Sequence, residues 1–233
     1  MLGLLYAMHW PYRQYETGRG IRRTPFHDRL VAAGACMGEL NGWERPNWYA
    51  RPGQSGPDGP RYVYSYGRQN WFDNRAAECR AVREAVALFD QSSMAKFLVQ
   101  GRDAQRVLDR LSTATMDVAP GRVVYTQWLN DAGGIEADLT ITRLSDTDYL
   151  VVTSVASHQR DLAMLREGIG DDARCTVTDI TSGLPMLGLM GPNARALLAA
   201  VSGEDLSNDA FPFGTSREIE IGGAIVRASR ITY

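Results

Sequence analysis

The chain has 233 residues, and 25 Lys and Arg against 27 Asp and Glu leave a formal charge of −2. A composition of 44% hydrophobic and 22% charged residues is that of a folded globular protein and excludes a disordered tail or a collagen-like chain. The near-balance of charge argues against a protein that lives by wrapping nucleic acid, and no apolar run approaches the roughly 18 residues of a bilayer span. The apolar start MLGLLYAMHW is too short for a span and lacks a basic leader, so it is expected to be structure rather than an address. Cys36, Cys79 and Cys175 are odd in number and form no CxxC pair, and His9, His27 and His158 show no metal-ligand spacing. Neither a disulfide framework nor a zinc cage follows. A reducing, cytosol-like compartment fits, or the mitochondrial matrix if the source is eukaryotic.

Residues 1–50 mix aromatic residues with arginines, among them Arg19, Arg22 and Arg23, and residues 51–68 are rich in Pro and Gly, as a loop or linker is. The arginine cluster admits two readings: an anion site, or solvated guanidiniums lying on Trp and Tyr. Beyond residue 70 the pattern becomes regular. Cys79, Val82, Val86 and Phe89 keep helical spacing and predict an amphipathic helix over 75–89. AKFLV (95–99) reads as a strand, and Ala104, Val107, Leu108 and Leu111 form the stripe of a following helix.

Residues 123–129 and 135–143 alternate apolar and polar on either side of Asn130-Asp131-Ala132-Gly133-Gly134, which predicts a hairpin. A strand at 149–153 leads into a helix carrying Val155, Leu162, Leu165 and Ile169. Strand-like runs at 175–180 and 185–190 come next, and Gly191-Pro192 opens a short helix. EIEI and AIVRASRIT flank Gly222-Gly223 as a second hairpin. Two hairpins among interleaved helices predict an α+β fold, an antiparallel sheet with covering helices, rather than a doubly wound parallel one.

The strand 135–143 places Ile135, Ala137, Leu139 and Ile141 on one face and Glu136, Asp138, Thr140 and Thr142 on the other. Pattern alone admits both a polar face meeting water and a pocket wall on which the Asp138 carboxylate accepts a proton or balances a cation. Tyr125, on the preceding strand, stands near it across the hairpin.

Here the residues carry a resemblance. ALFDQSSMAKFLVQG, GRVVYTQWLNDAGGIEADLTITRL, YLVVTSVASHQRDLAML and LGLMGPNARALL, in this order, resemble the aminomethyltransferase (glycine cleavage T-protein) family. The upstream run YETGRGIRRTPFHDRLVAAGACMGELNGWERPNWYA is similar to the region between the flavin and folate domains of dimethylglycine and sarcosine dehydrogenases. The resemblance implies an irregular interdomain segment over 1–70, linking to an absent flavin domain, and a folate-binding domain over 71–233 truncated at its C-terminal end. It implies tetrahydrofolate as cofactor, with FAD only in the absent upstream domain, since no GxGxxG follows a strand here. A one-carbon unit would pass from an iminium, derived from an N-methyl amine, to tetrahydrofolate. The partners implied are those small molecules and the missing domains of the same chain, with no nucleic acid and no membrane.

Carried over residue by residue, Asp138 matches the aspartate beside the reactive folate nitrogens and Tyr125 a tyrosine of the pterin pocket. Met94 and Leu98 match apolar wall positions. Thr153 stands where T-proteins commonly have asparagine, and Tyr233 matches a further pocket tyrosine. The pair Glu136-Ala137 departs from the family pattern, so of its two acidic positions only Asp138 carries over. The alternatives are a glycine cleavage aminomethyltransferase and a non-catalytic folate-binding or RNA-modification module on the same fold.

Overall fold

The structure is a computed structural model that describes residues 3, 6–8 and 13–232. The elements run α1 (His27–Ala32), β1 (Ala35–Leu40), β2 (Trp43–Tyr49), α2 (Phe72–Glu84), β3 (Ala87–Asp90), β4 (Ala95–Gln100) and α3 (Ala104–Leu111). They continue with β5 (Val123–Leu129), β6 (Ile135–Arg143), β7 (Asp148–Thr153), α4 (His158–Gly168), β8 (Thr176–Asp179) and β9 (Leu187–Met190). The last are α5 (Ala194–Ala199), β10 (Thr215–Ile221) and β11 (Ala224–Arg230). Every pairing between these strands is antiparallel, as the two hairpin turns predict. The chain forms two compact units, Met1–Ser93 with Pro185–Ala194, and Met94–Leu184 with Arg195–Tyr233.

In the first unit, residues that the sequence suggests are irregular build a hairpin. Asn41 and Gly42 both take positive φ, 51° and 81°, the backbone that a tight β1–β2 turn demands. Trp43, Trp48, Cys36 and Ala35 are buried, and burial pushes the Cys36 thiol up to about 11. Trp48 meets Tyr62 edge-on at 6.3 Å, and Tyr62 stacks on Tyr64 at 5.8 Å, which ties the Pro- and Gly-rich loop to the hairpin. The arginine cluster is largely committed. Arg19 grips the buried Glu44 with Nε on Oε1 at 2.7 Å and Nη2 on Oε2 at 2.6 Å, while Arg22 lies 4.2 Å over the Trp43 ring.

The helix predicted over 75–89 stops at Glu84, and Ala87–Asp90 instead pairs with β9. The cause is non-local. Gly191 (φ +121°) lets the chain after β9 press on the helix end, where an added Cβ would lie 2.5 Å from the Ala85 carbonyl. That carbonyl accepts a hydrogen bond from the Asn193 amide at 3.0 Å. Helical spacing at Val86 and Phe89 is outcompeted by this pairing.

The second unit holds a five-stranded sheet of order β5-β6-β7-β4-β8. One face carries Trp128, Ala137, Leu139, Ile141, Tyr149, Val151, Ala95, Phe97 and Val99, all buried against Leu108 of α3 and Leu162 and Leu165 of α4. Alternation sends the intervening residues to the other face. Hairpin β10–β11 builds a smaller cluster around Leu206, Phe211 and Ile219.

The Glu44 carboxyl is held below its usual range, first by the Arg19 hydrogen bond, with burial opposing and the Gly20 amide assisting. A depressed carboxyl contributes stability above its unfolded value of about 4.3, and that contribution disappears as the pH falls through the folded value. Glu44→Gln is expected to lose about 1.5–3 kcal/mol at neutral pH. Urea denaturation between about pH 6 and pH 3 should show a smaller acid-induced fall in the variant than in the parent chain.

Candidate functional site

The site is built on the face of the five-stranded sheet opposite the helices. Its first determinant is the β5–β6 turn. Asn130 Oδ1 accepts from the amides of Ala132 at 3.1 Å and Gly134 at 2.9 Å, and the Asn130 amide donates to the Gly134 carbonyl at 2.9 Å. Gly133 supplies the positive φ, +80°, that a side chain would resist. Asn130 Nδ2 also reaches Glu136 Oε1 at 2.7 Å. This turn sets the pairing Gln127↔Asp138 and Tyr125↔Thr140.

Tyr125 and Asp138 are therefore diagonal neighbours on one face, within reach of a long aromatic side chain. The Tyr125 hydroxyl donates to Asp138 Oδ2 at 2.8 Å. Both residues are exposed, Tyr125 at 61%. Asp138 Oδ1 has no partner among the described residues. The paired positions Tyr125, Thr140, Val152 and Lys96 run across four strands, about 14 Å at the usual strand spacing. Val123, Thr142, Leu150, Leu98 and Thr178 make a second row beside them.

Leu98 thus shares the face with Tyr125 and Asp138. Met94, half-buried one residue before β4, has its carbonyl held by Lys96 Nζ at 2.7 Å. Thr153 is placed differently. It pairs with Ala95 on the helix-covered face, is 1% exposed, and donates to Asp161 Oδ2 at 2.7 Å. Its hydroxyl is turned away from Asp138 because residue 153 is two on from the core residue Val151. Tyr233 lies outside the described residues.

Sequence reasoning passed over Lys96 and the Asp161 network. Lys96 is 1% exposed in a strand otherwise apolar from Ala95 to Val99, and alternation alone puts it on the Leu98 face. Asp161, fully buried, accepts from Thr153 Oγ1, from Ser157 Oγ at 2.6 Å and from Arg160 Nε at 3.3 Å. Arg160 also approaches Glu136 of β6, Nη1 to Oε2 at 3.8 Å, and so links the start of β6 to α4. His158 Nε2 meets Asp179 Oδ2 at 2.7 Å and joins α4 to the edge strand β8. Among the described residues no group of three His, Cys, Asp or Glu is placed to hold a metal.

Residues 26–233 match the family described as GCVT N-terminal domain. The chain belongs to the GCVT N-terminal domain family. It is 48% identical over 232 residues to the 4-methylaminobutanoate oxidase (formaldehyde-forming) of Paenarthrobacter nicotinovorans, all of this chain and 28% of that protein. It is 31% identical over 268 residues to human mitochondrial sarcosine dehydrogenase, 98% of this chain and 28% of that protein. The chain thus spans just over a quarter of the length of these curated relatives, both named as enzymes. Its fold is that of the glycine cleavage aminomethyltransferase T of Bartonella henselae, with TM-score 0.67 and 26% identity over 86% of this chain and 48% of that one. No helix among the described residues is long and apolar enough to cross a membrane.

Because Tyr125 and Asp138 are exposed, Tyr125→Phe and Asp138→Asn are each expected to change unfolding free energy by no more than about 0.5 kcal/mol. Asp161→Ala strands the hydroxyls and guanidinium that converge on a buried carboxylate, and should cost about 3–5 kcal/mol. Chemical denaturation of the three variants side by side checks both expectations.

Proposed function

We propose that this GCVT domain is the tetrahydrofolate-binding section of a longer FAD-dependent N-methyl amine dehydrogenase of the dimethylglycine and sarcosine type. In it a one-carbon unit passes from an iminium to tetrahydrofolate. The observation that carries the reading is the Tyr125–Asp138 hydrogen bond on the open face of the sheet, which leaves Oδ1 toward the solvent side. A carboxylate and a phenol beside the apolar Leu98, Leu150 and Val152 suit a reduced pterin, whose ring is flat and whose nitrogens donate hydrogen bonds. Tetrahydrofolate, when bound, supplies the secondary amines that accept the carbon. Asp138 takes up a proton at Oδ1 or balances cationic charge there, and Tyr125 fixes the carboxylate by occupying Oδ2.

In this reading Leu98 and Met94 wall the pocket, with Lys96 holding the Met94 carbonyl. Thr153 supports β7 from the core side through Asp161. The antiparallel sheets described offer no βαβ crevice for a flavin dinucleotide, so amine oxidation is assigned to polypeptide outside this chain, joined through residues 1–70. The compartment proposed is the cytoplasm, or the mitochondrial matrix in a eukaryote, as the name of the human relative supports.

In the polypeptide that carries this chain with its flavin part, Asp138→Asn should lower methylene-tetrahydrofolate formation by roughly 10²–10⁴. Amine oxidation should be unchanged, the carbon then leaving as formaldehyde. Separate assays of the two products check this, and equal methylene-tetrahydrofolate yield from both forms overturns it. The name of the 48% identical relative favours a second reading, in which formaldehyde is the normal product. Formaldehyde released in step with amine oxidation, whatever the tetrahydrofolate supplied, would select it.

A further inference from the structure

Lys96 is the one lysine among the 25 basic residues of the chain, and it is 1% exposed. It lies on β4 between Ala95 and Phe97, both fully buried on the helix-covered face, so alternation turns it to the face of Tyr125 and Asp138. Along the paired positions Tyr125, Thr140, Val152 and Lys96 exposure falls from 61% to 1%, with Thr140 and Val152 half-buried between the ends. The row thus has a solvent end, where Tyr125 holds Asp138, and a closed end at Lys96. A buried ammonium is costly unless it donates hydrogen bonds, and Lys96 Nζ turns back along its own strand to give one to the Met94 carbonyl at 2.7 Å. That charge-assisted bond fixes the peptide from which the half-buried Met94 side chain leaves.

The backbone of Lys96 is fixed in turn. Its N–H donates to Thr181 Oγ1 at 3.0 Å, and its carbonyl accepts from the Ile180 amide at 3.0 Å. Thr181 is 3% exposed and donates its amide to Asp179 Oδ1 at 2.9 Å. Asp179 Oδ2 meets Nε2 of His158, the first residue of α4, at 2.7 Å. The His158 ring lies 5.5 Å from that of Phe97, the residue after Lys96. A chain of polar contacts therefore runs from α4 through Asp179 and Thr181 to the peptide of Lys96, just where the pairing of β4 with β8 ends.

We infer that Lys96 is a positioning residue of the folate pocket, which holds Met94 as the wall at the closed end of the row, and that Thr181 holds Lys96. The inference rests on the folate reading of this face and adds the group that sets one of its walls. Methionine has three rotatable bonds and an adaptable thioether, so a wall made by Met94 is defined by the peptide that carries it. Such a wall meets the ligand equally in the ground state and the transition state, so loosening it raises KM and leaves kcat in place. Asp138, which exchanges a proton, acts on kcat.

The test uses the polypeptide that carries this chain with its flavin part, assayed for amine oxidation and for methylene-tetrahydrofolate at varied tetrahydrofolate. Lys96→Met keeps the apolar stem and removes the donor. It should raise KM for tetrahydrofolate roughly tenfold, with kcat and amine oxidation within about twofold of the parent. Thr181→Val should raise KM as well. Thr181→Ser, which keeps the hydroxyl, should not, nor should Thr176→Val at the far end of β8. Circular dichroism melts confirm that the variants fold, and the Thr181→Val and Thr181→Ser pair carries the test if Lys96→Met does not. Unchanged KM in Lys96→Met, or in Thr181→Val where that variant carries the test, overturns the positioning role and leaves the folate reading standing. A fall in kcat at unchanged KM does the same. A parent polypeptide that forms no methylene-tetrahydrofolate overturns both.

Discussion

The register of the β5–β6 hairpin is the constraint on which the functional face depends. Side chains alternate with a period of two, so a one-residue slip would carry Asp138 into the core and Leu139 into solvent. Two independent features forbid the slip. Asn130 and Gly133 close a turn of one length, and Trp128, Ala137, Leu139 and Ile141 must meet α3 and α4. The Tyr125–Asp138 hydrogen bond is a consequence of that register. It does little to hold the register, because it is exposed and an exposed contact of this kind is worth no more than about 0.5 kcal/mol.

Stability and chemistry are accordingly separated across the thickness of one sheet. The helix-covered face carries the apolar core and one buried carboxylate, Asp161, whose partners Thr153, Ser157 and Arg160 come from β7, its connection to α4 and the first turn of α4. On the other face Lys96, Thr142 and Leu150 are buried too, but Tyr125 and Asp138 are exposed and can change without unfolding the protein. An exposed carboxylate fixed by one phenol retains an oxygen for a ligand, whereas Asp161 has both oxygens engaged. Thr153 belongs to the first face even though it follows Val152, which belongs to the second.

The first unit shows the same economy with different parts. The Arg19–Glu44 pair is half of a buried-charge arrangement that only a bidentate fork and the Gly20 amide make tolerable. Arg45, one residue along β2, points its charge to the other face of the hairpin and has no such carboxylate. The successive residues Glu44 and Arg45, opposite in charge, thus differ in role because a strand turns successive side chains to opposite sides.

Periodicity and turn chemistry made much of this legible beforehand. The alternation of Ile135–Arg143, the Asn130–Gly134 turn and the Gly222-Gly223 pair are local signals, and β5, β6, β10 and β11 lie where those signals put them. Motif order made the family legible, because the quoted runs span most of the second unit. What the sequence could not determine was set by contacts far apart along the chain. The end of α2 at Glu84 is decided by β9, about a hundred residues later, and by the close approach at Gly191. The hairpin at 35–49 is stabilised by two buried tryptophans in a stretch whose Pro46, Gly38 and charges weaken any strand signal. The face on which Thr153 lies, the burial of Lys96 and the convergence on Asp161 required the sheet order β5-β6-β7-β4-β8, which no local pattern encodes. Local periodicity determines which residues share a face, and only the packed sheet decides which face is buried and what each side chain meets there.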